Sequence, residues 1–353
     1  MTITELKYFH FNLSFITPFK NSKDTFKSRD GFIIAIRNEK NFVGFGECSP
    51  LPGLSYENLY ECEEQLQKLS VFFKNFKVDD DIVSIETLIN KKNFFPSVKF
   101  GIEQCLLNLL ILDGNNFSKN LFAKTKREIE VNSVIAIGNK LDIISEIERN
   151  IGQGYKTFKL KIGSDFDNDF KLIEGIRKYF GENLILRLDV NGAWTKQESI
   201  DRIKYLSPFN IQYIEEPCGH LDSLIEISKK SPIPIAVDES MNTPPDVLNI
   251  IKSTNIEFIV LKPMIVSGIF STLKLIEEAA KKKKKIIISS SFESAVGKST
   301  LVFLAALTNH GFPHGLDTSN FFKRDVCIEN YKVNNGKILF DPGFYPPNFN
   351  LIF

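Results

Sequence analysis

The chain has 353 residues, of which 43% are hydrophobic and 25% charged, and its formal net charge is +1. This length is enough for a large domain of roughly 200–250 residues and a smaller one of about 100. A net charge near zero provides no electrostatic attraction for nucleic acid or for an anionic membrane surface, so we expect neither as a partner.

Five cysteines are scattered along the chain without a Cys-x-x-Cys pair: Cys48, Cys62, Cys105, Cys218 and Cys327. An odd number without regular spacing argues against a disulfide framework or a zinc site and favours a reducing compartment. The first residues lack a basic stretch followed by a long apolar run, so no signal peptide is predicted. Apolar runs such as residues 105–112 are shorter than the ~20 residues that span a bilayer. We therefore expect a soluble cytoplasmic protein.

The N-terminal part alternates apolar and polar residues, as antiparallel strands do when one face covers a core. Three strands are predicted there, at residues 3–15, 32–37 and 42–47. Three helical patterns follow, at residues 56–76, 82–91 and 96–112. Strands followed by helices predict an α+β domain, which we place at residues 1–125.

From Val131 onward, short β-rich runs alternate with amphipathic segments. Eight strands are predicted, at residues 131–137, 157–162, 184–190, 211–214, 233–237, 258–262, 286–290 and 315–318. This alternation predicts an α/β domain with a closed parallel barrel at residues 126–325, although strand count alone would also allow an open sheet. The remaining residues, 326–353, are expected to return to the first domain.

Charged residues fall at the ends of five successive barrel strands, where side chains point into one mouth. Lys159 and Lys161 end the second strand; the next four ends carry, in order, Asp189, Glu215, Asp238 and Lys262. The acidic positions and Lys262 are spaced by about one strand–helix unit each. They should therefore stand at matching heights on adjacent strands.

Three carboxylates in one mouth repel one another unless a cation lies among them. Ligation by oxygen alone suits Mg²⁺, which keeps its other positions for water and substrate. The pattern therefore predicts a Mg²⁺ site at Asp189, Glu215 and Asp238, with Mn²⁺ as a substitute. For any one of these carboxylates, solvation or pairing with a lysine or arginine is the commoner arrangement, but three in register favour a metal.

Lys159 and Lys161 are two residues apart on one strand and so share a face. Neighbouring ammonium groups lower each other's pKa, and a lysine with a lowered pKa can act as a base. Lys262 lies on the strand opposite, across the barrel. A lone lysine at a strand end is usually a surface charge, but this set could flank a substrate carboxylate on both faces. The chemistry that this serves is removal of the proton α to a carboxylate, through an enediolate whose charge the metal holds.

Five motifs together resemble the muconate-lactonizing branch of the enolase superfamily: Lys159-Leu-Lys161, Asp189-Val-Asn191, Glu215-Glu216-Pro217, Asp238-Glu239-Ser240 and Leu261-Lys262-Pro263. Members of that superfamily use a lysine or histidine base with Mg²⁺. The resemblance spans nearly the whole chain and implies a modified (β/α)7β TIM-type barrel with an N-terminal α+β capping domain. It also implies that Glu215 is the metal ligand and that Glu216 lies behind it.

Two further segments, residues 288–297 and 315–318, resemble the o-succinylbenzoate synthases of that branch. In those enzymes the positions of Ser289 and Gly315 contact the succinyl tail of the substrate, and Arg187 and Asn191 also match substrate-binding positions. Taken alone, a serine-rich strand end could also be small residues that fill a taper. Dipeptide epimerases carry Asp-x-Asp at the eighth strand, whereas this chain has only Asp317, which argues against that activity.

Two segments of the first domain are predicted as loops, residues 15–29 and the Gly/Pro-rich residues 44–55. In the family such loops close over the mouth and set specificity, and active-site lids commonly do so. They could also be simple connectors. Phe19 and Leu54 are the predicted substrate contacts in these loops.

The resemblance implies a hydro-lyase that converts 2-succinyl-6-hydroxy-2,4-cyclohexadiene-1-carboxylate to o-succinylbenzoate in menaquinone biosynthesis. Lys161 would take the α-proton and return a proton to the hydroxyl that leaves from the same face. Lys262 would stay cationic on the other face, and Lys159 would tune Lys161. The alternatives are an N-succinylamino acid racemase or a dipeptide epimerase of the same superfamily, and a non-catalytic barrel that binds an anion.

Overall fold

A computed structural model gives the fold of residues 1–20, 25–79, 82–114, 120–135, 140–241, 243–266 and 268–351. The N-terminal part contains an antiparallel sheet whose strands are β1 (Thr2–Lys20), β2 (Thr25–Asn38), β3 (Val43–Cys48) and β4 (Phe76–Lys77). Their order in the sheet is β3-β2-β1-β4. The helices of this part whose full bounds lie in the described residues are α1 (Leu59–Phe72), α2 (Ile82–Asn90) and α3 (Pro96–Leu112).

Local signals explain where two of these helices begin. The Asn58 side chain accepts a hydrogen bond from Glu61 N, and the Glu61 side chain accepts one from Asn58 N, so both otherwise unpaired donors at the start of α1 are satisfied. Pro96 occupies the first turn of α3, where its missing N–H costs nothing. Helix α3 is buried along most of its length and packs against the first sheet.

The loop predicted at residues 15–29 is wrong, because its described residues extend β1 and β2 as the arms of a long hairpin. Phe15 shows why the arms are ordered. Its ring stacks on Phe322 at 5.0 Å between centroids and lies edge-on to Phe292 at 5.5 Å. Both partners come from the barrel half of the chain, so nothing in the local sequence could have indicated the strand.

The second part is a barrel of parallel strands that alternate with helices. The strands are β6 (Ser133–Ile135), β7 (Thr157–Lys161), β8 (Ile185–Asp189), β9 (Ile211–Glu215), β10 (Ile235–Val237), β11 (Phe258–Leu261) and β12 (Lys285–Ile288), and they lie in sequence order in the sheet. The helices are α4 (Lys140–Gly152), α5 (Phe166–Phe180), α6 (Lys196–Leu206), α7 (Leu221–Ser228), α8 (Pro244–Ser253), α9 (Pro263–Val266), α10 (Gly268–Lys281) and α11 (Ala295–Ala306). The predicted α/β barrel with an N-terminal α+β cap is confirmed.

The barrel closes through two single-residue bridges instead of the regular eighth strand predicted at residues 315–318. His314 pairs with Val131 at one edge, and Gly315 pairs with Ser289 at the other, both in the parallel sense. Gly315 N donates to Ile288 O at 3.0 Å. The buried His314 ring accepts from Ile288 N through Nδ1, so a side chain completes the join in place of further backbone pairing.

The end of the chain contacts both parts of the molecule. β13 (Lys337–Leu339) pairs antiparallel with β5 (Glu128–Glu130), just before the barrel begins. Phe349 lies edge-on to Phe45 of the cap, and Tyr345 stacks on Phe303 of α11. The division at residues 1–125, 126–325 and 326–353 stays a prediction.

Three apolar clusters form the core of the described structure. The largest runs continuously from the cap into the barrel, and a second joins the hairpin to the start of α11. The third fills the barrel interior and includes Tyr213, Ala236, Phe258, Val260 and Ile287. All five cysteines are free and buried. Within the described ranges, no helix has the length and apolar character needed to cross a membrane.

Candidate active site

A cavity of about 500 Å³ lies at the mouth of the barrel, between the C-terminal ends of the strands and the cap. Ten of the twelve predicted site residues line it: Leu54, Lys159, Lys161, Asp189, Asn191, Glu215, Asp238, Lys262, Ser289 and Gly315. The strand ends and one cap loop therefore meet at a single space, which is large enough for a small-molecule ligand.

Strand register brings the central acidic residues to one level. Lys161 on β7 pairs with Asp189 on β8, and Asp189 pairs with Glu215 on β9. Because parallel neighbours in register project their side chains side by side, the three groups form a row across the mouth. Asp238 follows the last residue of β10, and Lys262 follows the last residue of β11.

Lys159 lies between two carboxylates of this row. Its Nζ is 2.7 Å from Glu215 Oε1 and 2.9 Å from Asp189 Oδ2. Burial lowers the pKa of Lys159, but these two carboxylates outweigh it and hold the pKa well above its usual value. This is opposite to the direction predicted from the lysine pair, because the acidic neighbours on adjacent strands act more strongly than the second ammonium group.

The pKa values of the two carboxylates move apart. Burial alone would raise the pKa of Asp189, but Lys159 and Lys161 lower it below its usual value. Burial raises the pKa of Glu215 well above its usual value, against the opposing effect of Lys159. Adjacent acids with such different environments are typical of functional sites.

Lys161 is hydrogen-bonded in the same row. Its Nζ lies 3.3 Å from Asp189 Oδ2 and donates to Asn191 Oδ1 at 2.9 Å. Asn191 in turn donates through Nδ2 to Glu239 Oε1 at 3.0 Å. The amide of Asn191 therefore fixes the height of the Lys161 ammonium above the strand ends.

Lys262 stands across the cavity from Lys161, because β7 and β11 are four positions apart in a ring closed by eight segments. Its Nζ forms an ion pair with Asp238 Oδ2. Burial lowers the pKa of Lys262, but Asp238 and Glu239 outweigh it and hold the pKa above its usual value. Lys262 is therefore cationic at neutral pH in this arrangement.

The donor set fits a divalent ion in its chemistry. Asp189, Glu215 and Asp238 supply carboxylate oxygens from three adjacent strands, and Glu215 Oε2 is buried without a hydrogen-bond partner. A buried carboxylate oxygen with no donor is costly, so a cation there would satisfy it. Among the described residues, no three Asp, Glu, His or Cys side chains are arranged closely enough to hold an ion. In this structure lysine ammonium groups lie against the carboxylates instead.

Glu216 is bonded to the residues that follow β10. Its φ of 45° is in the left-handed region, and its carboxylate accepts from Asp238 N at 2.9 Å and from Ser240 Oγ. Burial raises the pKa of Glu216 to about 8. The side chain therefore braces the end of β10.

Ser289 and Gly315 form the wall where the barrel closes. A Cβ added to Gly315 would lie 2.9 Å from Ser289 Oγ, so no side chain fits there unless the serine moves. Asp317, two residues further on, accepts from Tyr155 OH and from Asn320 Nδ2. Both of its oxygens are thus engaged by neutral donors of the protein.

The other two predicted site residues are the substrate contacts Phe19 and Arg187. The side chain of Phe19 lies outside the described part of the structure. Arg187 does not line the cavity and is fully buried; it donates to Asn132 Oδ1 at 2.9 Å and to Pro313 O at 2.7 Å. Its guanidinium also lies over the Tyr213 ring. The expected substrate contact at Arg187 is therefore not found, because the side chain ties the barrel together below the mouth.

Some lining residues were not predicted. Tyr213 could have been found, since it lies two residues before Glu215 and so faces the same way on β9. Phe26, from the hairpin, also lines the cavity. Its position depends on how the cap sits on the barrel, which no local pattern reports.

Two family models match the chain. The model described as "Enolase C-terminal domain-like" matches residues 142–344, and the model described as "MenC, N-terminal domain" matches residues 3–109. Together they cover most of the barrel and most of the cap.

Two relatives match over most of their length. The o-succinylbenzoate synthase of Desulfotalea psychrophila is 26% identical over 95% of this chain and 99% of that protein. The N-succinyl-L-Arg/Lys racemase of Bacillus cereus is 23% identical over 85% of this chain and 82% of that protein.

Two solved structures are also similar. MenC from Desulfotalea psychrophila has a TM-score of 0.81 and 25% identity, with 96% of this chain and 100% of that chain covered. The dipeptide epimerase of Enterococcus faecalis, complexed with Mg and the dipeptide L-Leu-L-Tyr, has a TM-score of 0.88 and 20% identity, with 97% and 98% covered.

Proposed function

Because the chain belongs to the Enolase C-terminal domain-like family, we propose that it is an enzyme that removes the proton α to a carboxylate of a small-molecule substrate. One observation carries this proposal. Lys161 and Lys262 lie on opposite sides of one cavity, and buried carboxylates stand between them. A substrate carbon held there would meet a nitrogen base or acid on either face.

Asp189, Glu215 and Asp238 are the proposed ligands of Mg²⁺, for which Mn²⁺ could substitute. When bound, the ion would neutralise the negative charge that develops on the substrate carboxylate. The buried, unpartnered Oε2 of Glu215 supports this assignment, and a solved structure of similar fold is a Mg complex.

The finer proposal is that the enzyme is an o-succinylbenzoate synthase. Its reaction would be the dehydration of 2-succinyl-6-hydroxy-2,4-cyclohexadiene-1-carboxylate, a step of menaquinone synthesis. A relative with this activity in its name covers nearly the whole chain, and the match to the MenC N-terminal domain extends the likeness to the cap. Ser289 and Gly315 would contact the succinyl tail at the wall where the barrel closes.

One lysine would carry out both proton transfers of this reaction. Lys161 Nζ takes the proton α to the ring carboxylate, and a proton from Nζ then leaves with the 6-hydroxyl as water. The C–H and C–O bonds break on the same face and a ring double bond forms, so the ring becomes aromatic. Lys262 stays cationic on the opposite face and attracts the developing negative charge. Lys159, two residues before Lys161 on β7, would tune this base.

The test is turnover of the cyclohexadiene substrate by the purified protein, followed as formation of o-succinylbenzoate. We expect chelation to abolish the activity and added Mg²⁺ to restore it. Asp189→Asn, Glu215→Gln and Asp238→Asn should each be inactive, whereas the exposed Asp201→Asn should be as active as the wild type. Full activity in the chelated protein would refute the metal-dependent mechanism.

A second candidate is N-succinylamino acid racemase, which the similarity to the Bacillus cereus racemase favours. It would use the same cavity, with Lys161 and Lys262 each serving one enantiomer. The measurement is exchange of the α-proton of each N-succinyl enantiomer in deuterated water. Absence of exchange with both enantiomers would exclude this activity. A dipeptide epimerase is less well supported, because Gly315 has no side chain and Asp317 is held by Tyr155 and Asn320.

A further inference from the structure

A single carboxylate of the cap, that of Glu47, contacts both a cavity-lining loop and the barrel rim. Glu47 lies in β3 and is completely buried. Its Oε1 accepts from Ser49 Oγ at 2.7 Å, at the start of the Gly/Pro-rich cap loop. Its Oε2 accepts from Ser294 Oγ at 2.5 Å and from Gly297 N at 2.9 Å, at the start of α11.

The barrel side of this contact leads directly to the cavity wall. Ser294 is the residue that caps α11, and the five residues before it carry Ser289 and Ser290. Glu293 fastens this short segment, because it accepts from Ser290 Oγ at 2.5 Å and from Ser291 N at 2.7 Å. A shift at the start of α11 would therefore move the strand end that lines the cavity.

The fit at the helix is close. A Cβ added to Gly297 would lie 2.7 Å from Glu47 Oε2, so the carboxylate sits against the helix backbone. Gln104 makes a second connection, since it accepts from Glu47 N at 3.0 Å and donates to Val296 O at 2.7 Å. The end of β3 and the first turn of α11 are thus joined by both side chain and backbone of Glu47.

The cap side leads to the opposite wall. We call residues 49–55 the lid loop; Leu51, Gly53 and Leu54 line the cavity. Arg29, which is buried, donates to Ser49 O and to Pro50 O, so the root of the loop is fastened at two carbonyls. Within the loop, Leu51 O accepts from Leu54 N at 3.1 Å. A change in the position of Ser49 should therefore also move the lining residues, because hydrogen bonds hold the loop between them in one conformation.

We propose that Glu47 is a positioning residue that couples the lid loop to the strand end bearing Ser289, so that both walls of the cavity take up one arrangement together. The carboxylate is dry and accepts bonds on both sides, so it cannot turn to follow one wall without leaving donors of the other unpaired. The inference rests on the proposed function only for its substrate.

A purely structural role is the competing explanation, and Glu103 provides the matched control. It is a buried glutamate of cap helix α3 that accepts from Phe270 N at 3.1 Å and from Ile269 N, in the first turn of α10. It also sits against a glycine, since a Cβ on Gly268 would lie 2.6 Å from its Oε2. Its described partners, Ile269, Phe270 and Lys99, all lie outside the lid loop.

The first test compares Glu47→Gln with Glu103→Gln in steady-state kinetics and in amide hydrogen exchange. An amide at position 47 would turn an N–H group toward donors on one side. We expect about a 10-fold rise in KM with kcat changed about 2-fold or less, and faster exchange in residues 49–55 and 289–297. Glu103→Gln should lower Tm by about as much as Glu47→Gln does, but it should leave KM unchanged. Equal KM values in the wild type and Glu47→Gln, or an equal rise in both variants, would overturn the proposal.

The second test cuts the contact on one side and measures the other. Ser294→Ala removes a barrel-side donor, and faster exchange at Leu54 N would show transmission across Glu47. Ser49→Ala removes the cap-side donor, and the double variant should have the KM of the worse single variant. Additive changes in log KM, with unaltered exchange in the lid loop, would refute coupling. If the wild type did not turn over the cyclohexadiene substrate, the proposed function would fail, and exchange would still decide the coupling.

Discussion

Lys159 Nζ lies 2.7 Å from Glu215 Oε1, a contact that reaches across β8 to join two strands that are not neighbours. The same ammonium group is 2.9 Å from Asp189 Oδ2. All three side chains are largely buried, so Lys159 offsets a repulsion that the protein interior would not screen. This gives Lys159 a structural task in addition to its proposed effect on Lys161.

We therefore predict that Lys159→Met lowers the stability of the chelated protein. Removal of one partner from a buried ion pair costs about 3–5 kcal/mol, because the remaining charges are left unpaired. Added Mg²⁺ should restore more stability to the variant than to the wild type, since the ion would neutralise the same carboxylates. Thermal unfolding with chelator and with Mg²⁺ measures both effects. An equal loss of stability in both conditions would show that the metal does not bind at these carboxylates.

The two lysines across the cavity should separate the steps of the reaction. Lys161→Ala should abolish both product formation and exchange of the substrate α-proton, because it removes the proposed base. Lys262→Ala should also be inactive in dehydration, whereas Lys262→Arg should retain a trace, because the positive charge remains. Product formation and deuterium incorporation are measured for each variant. Unimpaired dehydration by Lys161→Ala would mean that another group takes the proton.

The sequence was sufficient to predict the central row of the site. Lys161, Asp189 and Glu215 occur at strand ends one strand–helix unit apart, and parallel pairing of adjacent strands converts that spacing into a common height. The pairing of Lys159 with Glu215 was not predicted, because these residues are on non-adjacent strands and meet only when the barrel curves.

Other features depend on contacts between distant parts of the chain. The hairpin arms around Phe15 are ordered by rings of the barrel half, and the barrel closes at His314 through bonds of its imidazole. Arg187 lies two residues before Asp189 and so faces the same side of β8. It nevertheless lies below the mouth, where it contacts Asn132 and Pro313. Sequence spacing along one strand specifies which face a residue occupies but not how deep in the barrel it lies.

Two stacked histidines at the barrel closure predict a loss of stability in acid. Burial lowers the pKa of His310 to about 4 and that of His314 well below its usual value. The unfolded chain, with a histidine pKa of about 6.5, then binds more protons than the folded protein as the pH falls below that value. For His310 alone we expect a loss of about 2 kcal/mol between pH 7.5 and pH 5.

The measurement is urea unfolding of the wild type and His310→Gln at both pH values. Glu47 and Glu103 have the opposite effect on stability, because burial raises the pKa of each to about 7. The folded protein therefore binds protons at these two groups more tightly than the unfolded chain does, and their contribution to stability increases as the pH falls. The difference between the two proteins isolates His310. The variant should be the less stable at pH 7.5, and its deficit should shrink by about 2 kcal/mol at pH 5. A deficit that does not change with pH would show that His310 is not held neutral by the fold.

The wall at Gly315 provides a test of the choice between synthase and epimerase. The glycine backbone can approach the succinyl carboxylate closely, and an aspartate there would bring a like charge toward it in a partly dry pocket. A side chain would also displace Ser289, since a Cβ would lie 2.9 Å from its Oγ. We predict that Gly315→Asp lowers kcat/KM for the succinyl substrate by the order of 100-fold, or ~3 kcal/mol.

Gly315→Ala separates the steric share of this loss from the electrostatic share. It adds the Cβ that crowds Ser289 but no charge, so we expect a smaller loss than in Gly315→Asp. The affinity for Mg²⁺, measured by titration of each variant, should equal that of the wild type, because Asp189, Glu215 and Asp238 lie on other strands. If Gly315→Asp turned over the succinyl substrate normally, the succinyl tail would not lie at the closure of the barrel, and the preference for a synthase over an epimerase would lose its main structural support.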